Sequence, residues 1–185
     1  MKLFHEFFSD PLKRAQQAKA TKPREAAPKT ADVPADVLAS TLFDEFVRKP
    51  MPGMFENFNI DPDASSPSGR KLILYQYASV LIAILGVEQR DKAFLPVRVC
   101  LEQHFFPPTF AQGADLLADV RAAMRDLGEL LQPDVPRREL SWARHWLSTV
   151  GIQEDNPATL AMFAHRWPAH FVTVAEALQH FRPVT

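Results

Sequence analysis

Histidine and glutamate side chains near the C-terminus are the residues of this chain that could bind a metal ion. Glu176 and His180 are four residues apart, which places them on one face of a helix, and His165 and His170 flank a proline. Helical di-iron proteins need a Glu-x-x-His motif on each of two helices, and this sequence has no such pair. The pattern therefore favours ordinary surface or capped histidines. A small metal-dependent enzyme that uses these four residues is the alternative.

Nucleophilic catalysis is the second chemistry to consider. Cys100 and His104 are four residues apart on a predicted helix and could face each other. Their neighbours are mostly apolar, and an apolar environment raises the pKa of a thiol and keeps it unreactive. The chain also lacks the Gly-x-Ser-x-Gly elbow and the glycine-rich phosphate-binding motifs. We therefore predict a structural cysteine, no catalytic residue and no cofactor.

Tryptophan and arginine residues between positions 137 and 147 form a candidate binding patch. Trp142 and Trp146 are four residues apart, and Arg138 and Arg144 lie beside them in the sequence. Other apolar residues of the same predicted helix already form an inward stripe, so we expect Trp142 to be partly exposed. Tryptophan and arginine dominate the binding energy of many protein interfaces. The sequence therefore predicts a protein-binding patch made of Arg138, Trp142, Arg144 and Trp146.

A short amphipathic segment at the N-terminus is the other candidate binding element. Leu3, Phe4, Phe7 and Phe8 are spaced for one face of a helix, and the following residues 11–31 carry a net charge of +5 with few apolar side chains. Such a composition predicts a flexible linker. We expect the aromatic segment to dock on its own domain or in a partner's groove. Contact with a membrane surface is a further alternative.

The longest apolar run, residues 72–86, indicates the architecture. A helix over 69–87, capped by Ser68, would be apolar on all sides and belongs in the centre of a core. The apolar run itself, about 22 Å long as a helix, is too short and too polar to span a bilayer core of about 30 Å. Residues 51–68 are predicted to be irregular, and 97–105 has an alternation that also suits a strand. The other predicted helices span residues 34–49, 96–106, 110–131 and 136–150, and a further one begins at Pro157. Pro168 either kinks that helix or starts a new one through Phe181.

These segments predict an all-α fold, an irregular bundle of six or seven helices around the central helix. We divide the chain into an N-terminal arm, residues 1–32, and one helical domain, residues 33–185. One cysteine and no secretory signal favour the cytoplasm. A net charge of −1 argues against a general nucleic-acid binder, although the basic arm together with Arg137 and Arg138 keeps that alternative open.

The expected function is that of a non-catalytic, cytoplasmic factor that binds another protein, as an adaptor, chaperone or inhibitor. Its partner-binding residues would be the tryptophan–arginine patch and the N-terminal aromatic segment. The sequence leaves open the partner's identity and whether the chain forms homo-oligomers.

Overall fold

The computed structural model of the protein describes residues 30–61, 63, 65–105, 116–131 and 136–184. Within these ranges the fold is an all-α bundle with seven α-helices and very little strand, which confirms the predicted fold class. The N-terminal aromatic segment, almost all of the basic linker and the start of the helix predicted over 110–131 lie outside the described residues.

The elements follow one another along the chain with short connections where the structure describes them. They are β1 (Ala31–Pro34), α1 (Ala35–Phe43) with a π-helical extension (Asp44–Arg48), α2 (Met54–Phe58), α3 (Pro67–Glu88), a 3-10 turn (Lys92–Phe94), α4 (Leu95–Cys100) with a π-helical extension (Leu101–Phe105), α5 (Leu116–Leu130), α6 (Pro136–Ser148), α7 (Pro157–Leu178) and β2 (Phe181–Val184).

Helix α3 is the buried centre of the bundle, as predicted. It packs against α5, α7 and the π-helical extension of α1, and the side chains from Tyr75 to Ile84 are all buried. With 22 residues it is about 33 Å long, so our length argument against a membrane span is wrong for the complete helix. By length and composition α3 could cross a bilayer, but 72% of its most apolar stretch is buried inside the protein.

Helix α3 begins two residues earlier than predicted, at Pro67. Ser66, not Ser68, caps it: the Ser66 Oγ accepts a hydrogen bond from the Gly69 N–H at 3.0 Å and donates one to the Asp63 carbonyl at 2.8 Å. Pro67 then occupies the first turn, where a missing N–H costs nothing. A Cβ at Gly69 would collide with the carbonyl oxygens of Asp61 and Asp63, so only glycine fits beneath this loop.

A two-stranded parallel ribbon, which the sequence analysis did not predict, joins the two ends of the described domain. Ala31 pairs with Phe181, and the Ala31 N–H donates to the His180 carbonyl at 2.9 Å. This register directs the backbone nitrogens of Pro34 and Pro183 away from the ladder, which is where a strand tolerates proline. The same prolines remove outward N–H donors, so the edges of the ribbon are poor templates for a further strand.

Several local predictions are corrected by the structure. Residues 51–68 contain the short helix α2, bounded by left-handed residues at Gly53 and Asn59. Residues 97–105 are helical, which confirms the helix predicted over 96–106 and excludes the strand alternative. Asn156 caps α7 as expected, its Oδ1 accepting from the Ala158 N–H at 2.9 Å, but α7 then continues through Pro168 without a break. The tertiary packing of α7 outweighs the hydrogen bond that Pro168 cannot donate.

A buried glutamine joins the C-terminal end of α1 to the central helix. The Gln76 Nε2 donates to the carbonyl oxygens of Phe46 at 2.9 Å and Lys49 at 2.7 Å, and its Oε1 accepts from the Met51 N–H at 3.3 Å. Carbonyl oxygens at a helix end have no partner inside the helix, and buried ones are costly if left unpaired. Gln76 therefore fixes the position of the π-helical extension against α3.

We expect Gln76→Leu to lower the free energy of unfolding by about 3 kcal/mol, because it leaves several buried backbone groups without partners. Urea denaturation followed by circular dichroism measures this change. The matched control is Gln89→Leu at the exposed C-terminal end of the same helix, where we expect a change within about 0.5 kcal/mol. Equal effects of the two substitutions would contradict the role assigned to Gln76.

Candidate functional site: the tryptophan cluster

Aromatic side chains from three helices meet around Tyr75 of α3. The Tyr75 ring lies with its centroid 5.7 Å from Trp146, 6.3 Å from Trp142 and 5.6 Å from Trp167, in each case closer to edge-to-face than to stacked. Phe163 of α7 completes the group, 5.1 Å from Trp146. We call these five residues the tryptophan cluster. Edge-to-face pairs of this kind add to the stability that burial provides.

The three tryptophans have different exposure, and this changes the predicted patch. Trp146 and Trp167 are each only 1% exposed, whereas Trp142 is half-buried. Trp142 is the tryptophan expected to reach the surface, and its position agrees with that expectation. The prediction is wrong for Trp146, because its ring packs against residues of α3 and α7 and is buried there. The i, i+4 spacing places both tryptophans on one face of α6 but does not determine how deeply each ring lies.

Packing inside the cluster holds the Trp142 ring in place. It stacks on Phe163 with centroids 6.0 Å apart and an interplanar angle of 27°, and it meets the Trp167 ring edge-on at 6.2 Å. A ring fixed in this way loses little conformational entropy when a partner covers its exposed part. This is the geometry of a preorganised aromatic contact.

The structure does not place the two arginines of the predicted patch beside Trp142. Arg144 is two residues further along α6, about 200° around the helix, and its Nε lies 3.1 Å from Asp155 Oδ1. Both side chains of this ion pair are mostly exposed, so it contributes little to stability. The backbone of Arg138 lies in the first turn of α6, but its side chain lies outside the described residues.

A polar group that the sequence analysis missed lies against the cluster. The Tyr75 hydroxyl donates to Asp126 Oδ2 of α5 at 2.6 Å, and Lys71, one turn before Tyr75, hydrogen-bonds to Thr149 at the end of α6. The Lys71 Nζ lies 4.8 Å from the centroid of the Trp146 ring and 5.5 Å from that of Tyr75. Asp126 and Lys71 thus connect α3 to both α5 and the α6 C-terminus.

Burial controls the protonation of this polar group. It lowers the pKa of Lys71 to about 8, although the nearby Asp126 carboxylate acts in the opposite direction. Burial, together with the hydrogen bond and charge of Asp126, raises the pKa of Tyr75 well above its usual value, so that the phenol stays protonated and donates. An amine that is partly neutral near pH 7 can accept a proton or attack an electrophile.

The sequence contains one motif that could have drawn attention to Lys71. Ser68 and Lys71 are three residues apart at the start of a helix, a spacing used by one class of serine acyl-transfer enzymes. The structure does not assemble that pair: within the described residues, Ser68 Oγ lies 3.4 Å from Ser66 Oγ, and Lys71 bonds to Thr149 instead. The partner Asp126 could not have been assigned from sequence, because it is brought close only by the packing of α5 on α3.

The four candidate metal ligands of α7 and its C-terminal end are not brought together. The His165 imidazole is exposed and lies 3.9 Å from Glu139, and Glu176 and His180 are exposed at the far end of the helix. Within the described part of the chain no group of three or more His, Cys, Asp and Glu side chains is arranged to hold a metal ion.

His170 has a structural role that explains its position. Its Nε2 lies 3.0 Å from the Phe46 carbonyl, which can only accept, so Nε2 carries the proton and Nδ1 accepts from the Ser79 hydroxyl at 3.1 Å. Both ring nitrogens are therefore occupied. Burial lowers the pKa of His170 to about 4, which keeps the imidazole neutral near pH 7.

The remaining predicted site residues are placed as follows. Cys100 is half-buried and forms no disulfide, while the side chain of His104 lies outside the described residues. The N-terminal candidates also lie outside them, and their binding role stays a prediction; they are Leu3, Phe4, Phe7 and Phe8.

Comparison of the chain with protein-family models, with curated proteins and with solved structures finds no match.

The depressed pKa of His170 predicts a pH-dependent stability. The unfolded chain binds a proton at the ordinary histidine pKa near 6.5, whereas the folded protein binds it only near pH 4. Unfolding thus takes up a proton between these values, and the free energy of unfolding should fall by about 2 kcal/mol between pH 7.5 and pH 5 from this group alone.

Urea denaturation at both pH values measures the difference, and His170→Gln should remove most of it. The matched control is His165→Gln, which removes an exposed imidazole from the same helix and leaves the contacts of His170 intact. A His170→Gln variant with the full wild-type pH dependence would show that other groups cause it.

Lys71 should titrate within an accessible pH range. We expect the carbon-13 resonance of its Cε to move with a midpoint at about pH 8, because burial disfavours the ammonium form. Lys71→Arg should abolish this transition, and it identifies the resonance because every other lysine is unchanged. If no lysine signal moves below about pH 9.5, the burial of Lys71 is not the dominant effect on its charge.

Proposed function

We propose that the protein is a non-catalytic binding factor for another protein, acting as an adaptor, chaperone or inhibitor, and that its partner contacts the exposed part of Trp142. The observation that carries the proposal is the half-buried Trp142 ring at the surface of α6, which is stacked on Phe163. Large aromatic side chains that are fixed before binding are typical anchors of protein interfaces.

The surroundings of Trp142 supply the polar rim that such an anchor needs. Glu139 lies one turn before Trp142 on α6 and is half-buried. Its Oε2 lies 3.9 Å from the Nε2 of His165 on the neighbouring helix α7. Exposed pairs of this kind cost little to rearrange, so they can adapt to a partner's charges while the aromatic ring provides affinity.

The proposal predicts that Trp142→Ala weakens partner binding by tenfold or more, in line with a hot-spot contact of about 2 kcal/mol. Affinity purification from the native host with quantitative mass spectrometry identifies proteins retained by the wild-type chain. Their affinities for the purified wild type and variant are then compared by calorimetry.

Two controls separate binding from folding. Val37→Ala removes exposed apolar surface from α1 and should leave binding unchanged. Circular dichroism and the urea midpoint establish that Trp142→Ala is folded at the temperature of the assay. A folded Trp142→Ala variant that binds every partner with wild-type affinity would remove this surface from the proposed function.

A further inference from the structure

A second surface of the domain combines exposed apolar side chains with a cation that forms no ion pair with the described residues. Arg166 of α7 donates to the Pro52 carbonyl, and its guanidinium carbon lies 5.7 Å from the centroid of the Phe58 ring in α2. Met162, one turn before Arg166, is 42% exposed, and Phe55, one turn before Phe58, is 56% exposed. We call Phe55, Met162 and Arg166 the α2–α7 surface.

The charge of Arg166 is not balanced within the described part of the chain. None of the ion pairs formed there includes Arg166, and its Nε is buried without a hydrogen-bond acceptor. Met162 is one turn from Arg166 on α7 and Phe55 is one turn from Phe58 on α2, and large exposed apolar side chains gain free energy when they are covered. The surface therefore fits a ligand that carries apolar side chains together with a carboxylate.

The chain itself contains a segment of that chemistry. Residues 3–8 read Leu-Phe-His-Glu-Phe-Phe, so four large apolar side chains surround the carboxylate of Glu6. The linker behind it carries the opposite charge, +5 over residues 11–31, and would not compete with Glu6 for a cationic site. Apolar content and charge sign thus both match the α2–α7 surface.

The position of the attachment point makes this docking possible. Ala31 lies opposite Phe181, three residues beyond the end of α7, and Arg166 is twelve residues before that end, or about 18 Å along the helix. The 22 residues from 9 to 30 have the composition of a flexible chain, whose root-mean-square span is about 26 Å. A tether whose span matches the distance gives an effective concentration in the millimolar range.

We propose that residues 3–8 dock in cis on the α2–α7 surface, with Glu6 facing Arg166. The tether favours this occupant over a second copy of the chain, which would have to be present at a millimolar concentration to compete equally. The contact covers Phe55 and Met162 and supplies the carboxylate that Arg166 lacks among the described residues.

Site-specific photo-crosslinking of the full-length chain tests the proposal. Phe7 is replaced by p-benzoylphenylalanine, and light and heavy isotope-labelled proteins are mixed at micromolar concentration before irradiation. We expect cross-links to residues 52–58 or 158–166, with both peptides carrying the same isotope label. Cross-links to other parts of the domain, cross-links between light and heavy chains, or none at all would each overturn the proposal.

Charge substitutions test the pairing of Glu6 with Arg166. Glu6→Arg should reduce the cross-link yield about fivefold, the effect of losing one exposed ion pair. The matched control, Glu25→Arg, makes the same charge change in the linker and should leave the yield unaltered. Equal yields for all three proteins would contradict the pairing.

A double variant tests whether restored opposite charges at positions 6 and 166 also restore the cross-link yield. Glu6→Arg with Arg166→Glu restores opposite charges and should recover the yield. Because Arg166→Glu also removes the hydrogen bond to Pro52, circular dichroism first establishes that the double variant is folded. If it is unfolded, the comparison of Glu6→Arg with Glu25→Arg decides the pairing by itself.

Discussion

The rest of the structure depends on the need to keep water away from a helix that is apolar on every side. A helix with one apolar stripe can lie on the surface of a core, but α3 has no polar face to offer to solvent. Its burial therefore requires neighbours all around it. Helices α5 and α7, together with the π-helical extension of α1, supply most of that cover. The remaining helices pack against these neighbours more than against α3 itself, which explains why the bundle is irregular and not a symmetric array.

Polar side chains within α3 decide how those neighbours are arranged. Gln76 binds the end of α1, Ser79 binds His170 of α7, and Tyr75 binds Asp126 of α5. Apolar packing alone tolerates many arrangements of similar volume, whereas each of these hydrogen bonds is satisfied in one arrangement only. These three polar side chains of α3 therefore act as directional contacts, one for each covering element.

The apolar pattern was sufficient to predict the fold class, the buried central helix and the approximate range of most helices. Predictions that required tertiary contacts were not accessible in the same way. The ribbon pairs four residues near position 31 with four near position 181, and no local pattern indicates so distant a partner. Pro168 was expected either to kink a helix or to start a new one, and α7, which packs against α3 and α6, continues through it as one helix. At the site, spacing showed which residues share a helix face but not how deeply each lies, so Trp142 and Trp146 were grouped although only one reaches the surface.

In the proposed function, the tryptophan cluster has to meet two demands that usually conflict. A binding anchor must be exposed enough to contact a partner, yet an exposed aromatic ring on a mobile side chain loses entropy when it binds and promotes aggregation when it does not. Here the buried rings of Trp146 and Trp167 provide the stability, and Trp142 rests on Trp167 and Phe163 with part of its surface left free. The same contact between helices α6 and α7 therefore holds the domain together and orients the exposed ring. Substitutions beneath Trp142 should then change stability and partner affinity together, whereas changes confined to its exposed edge should change affinity alone.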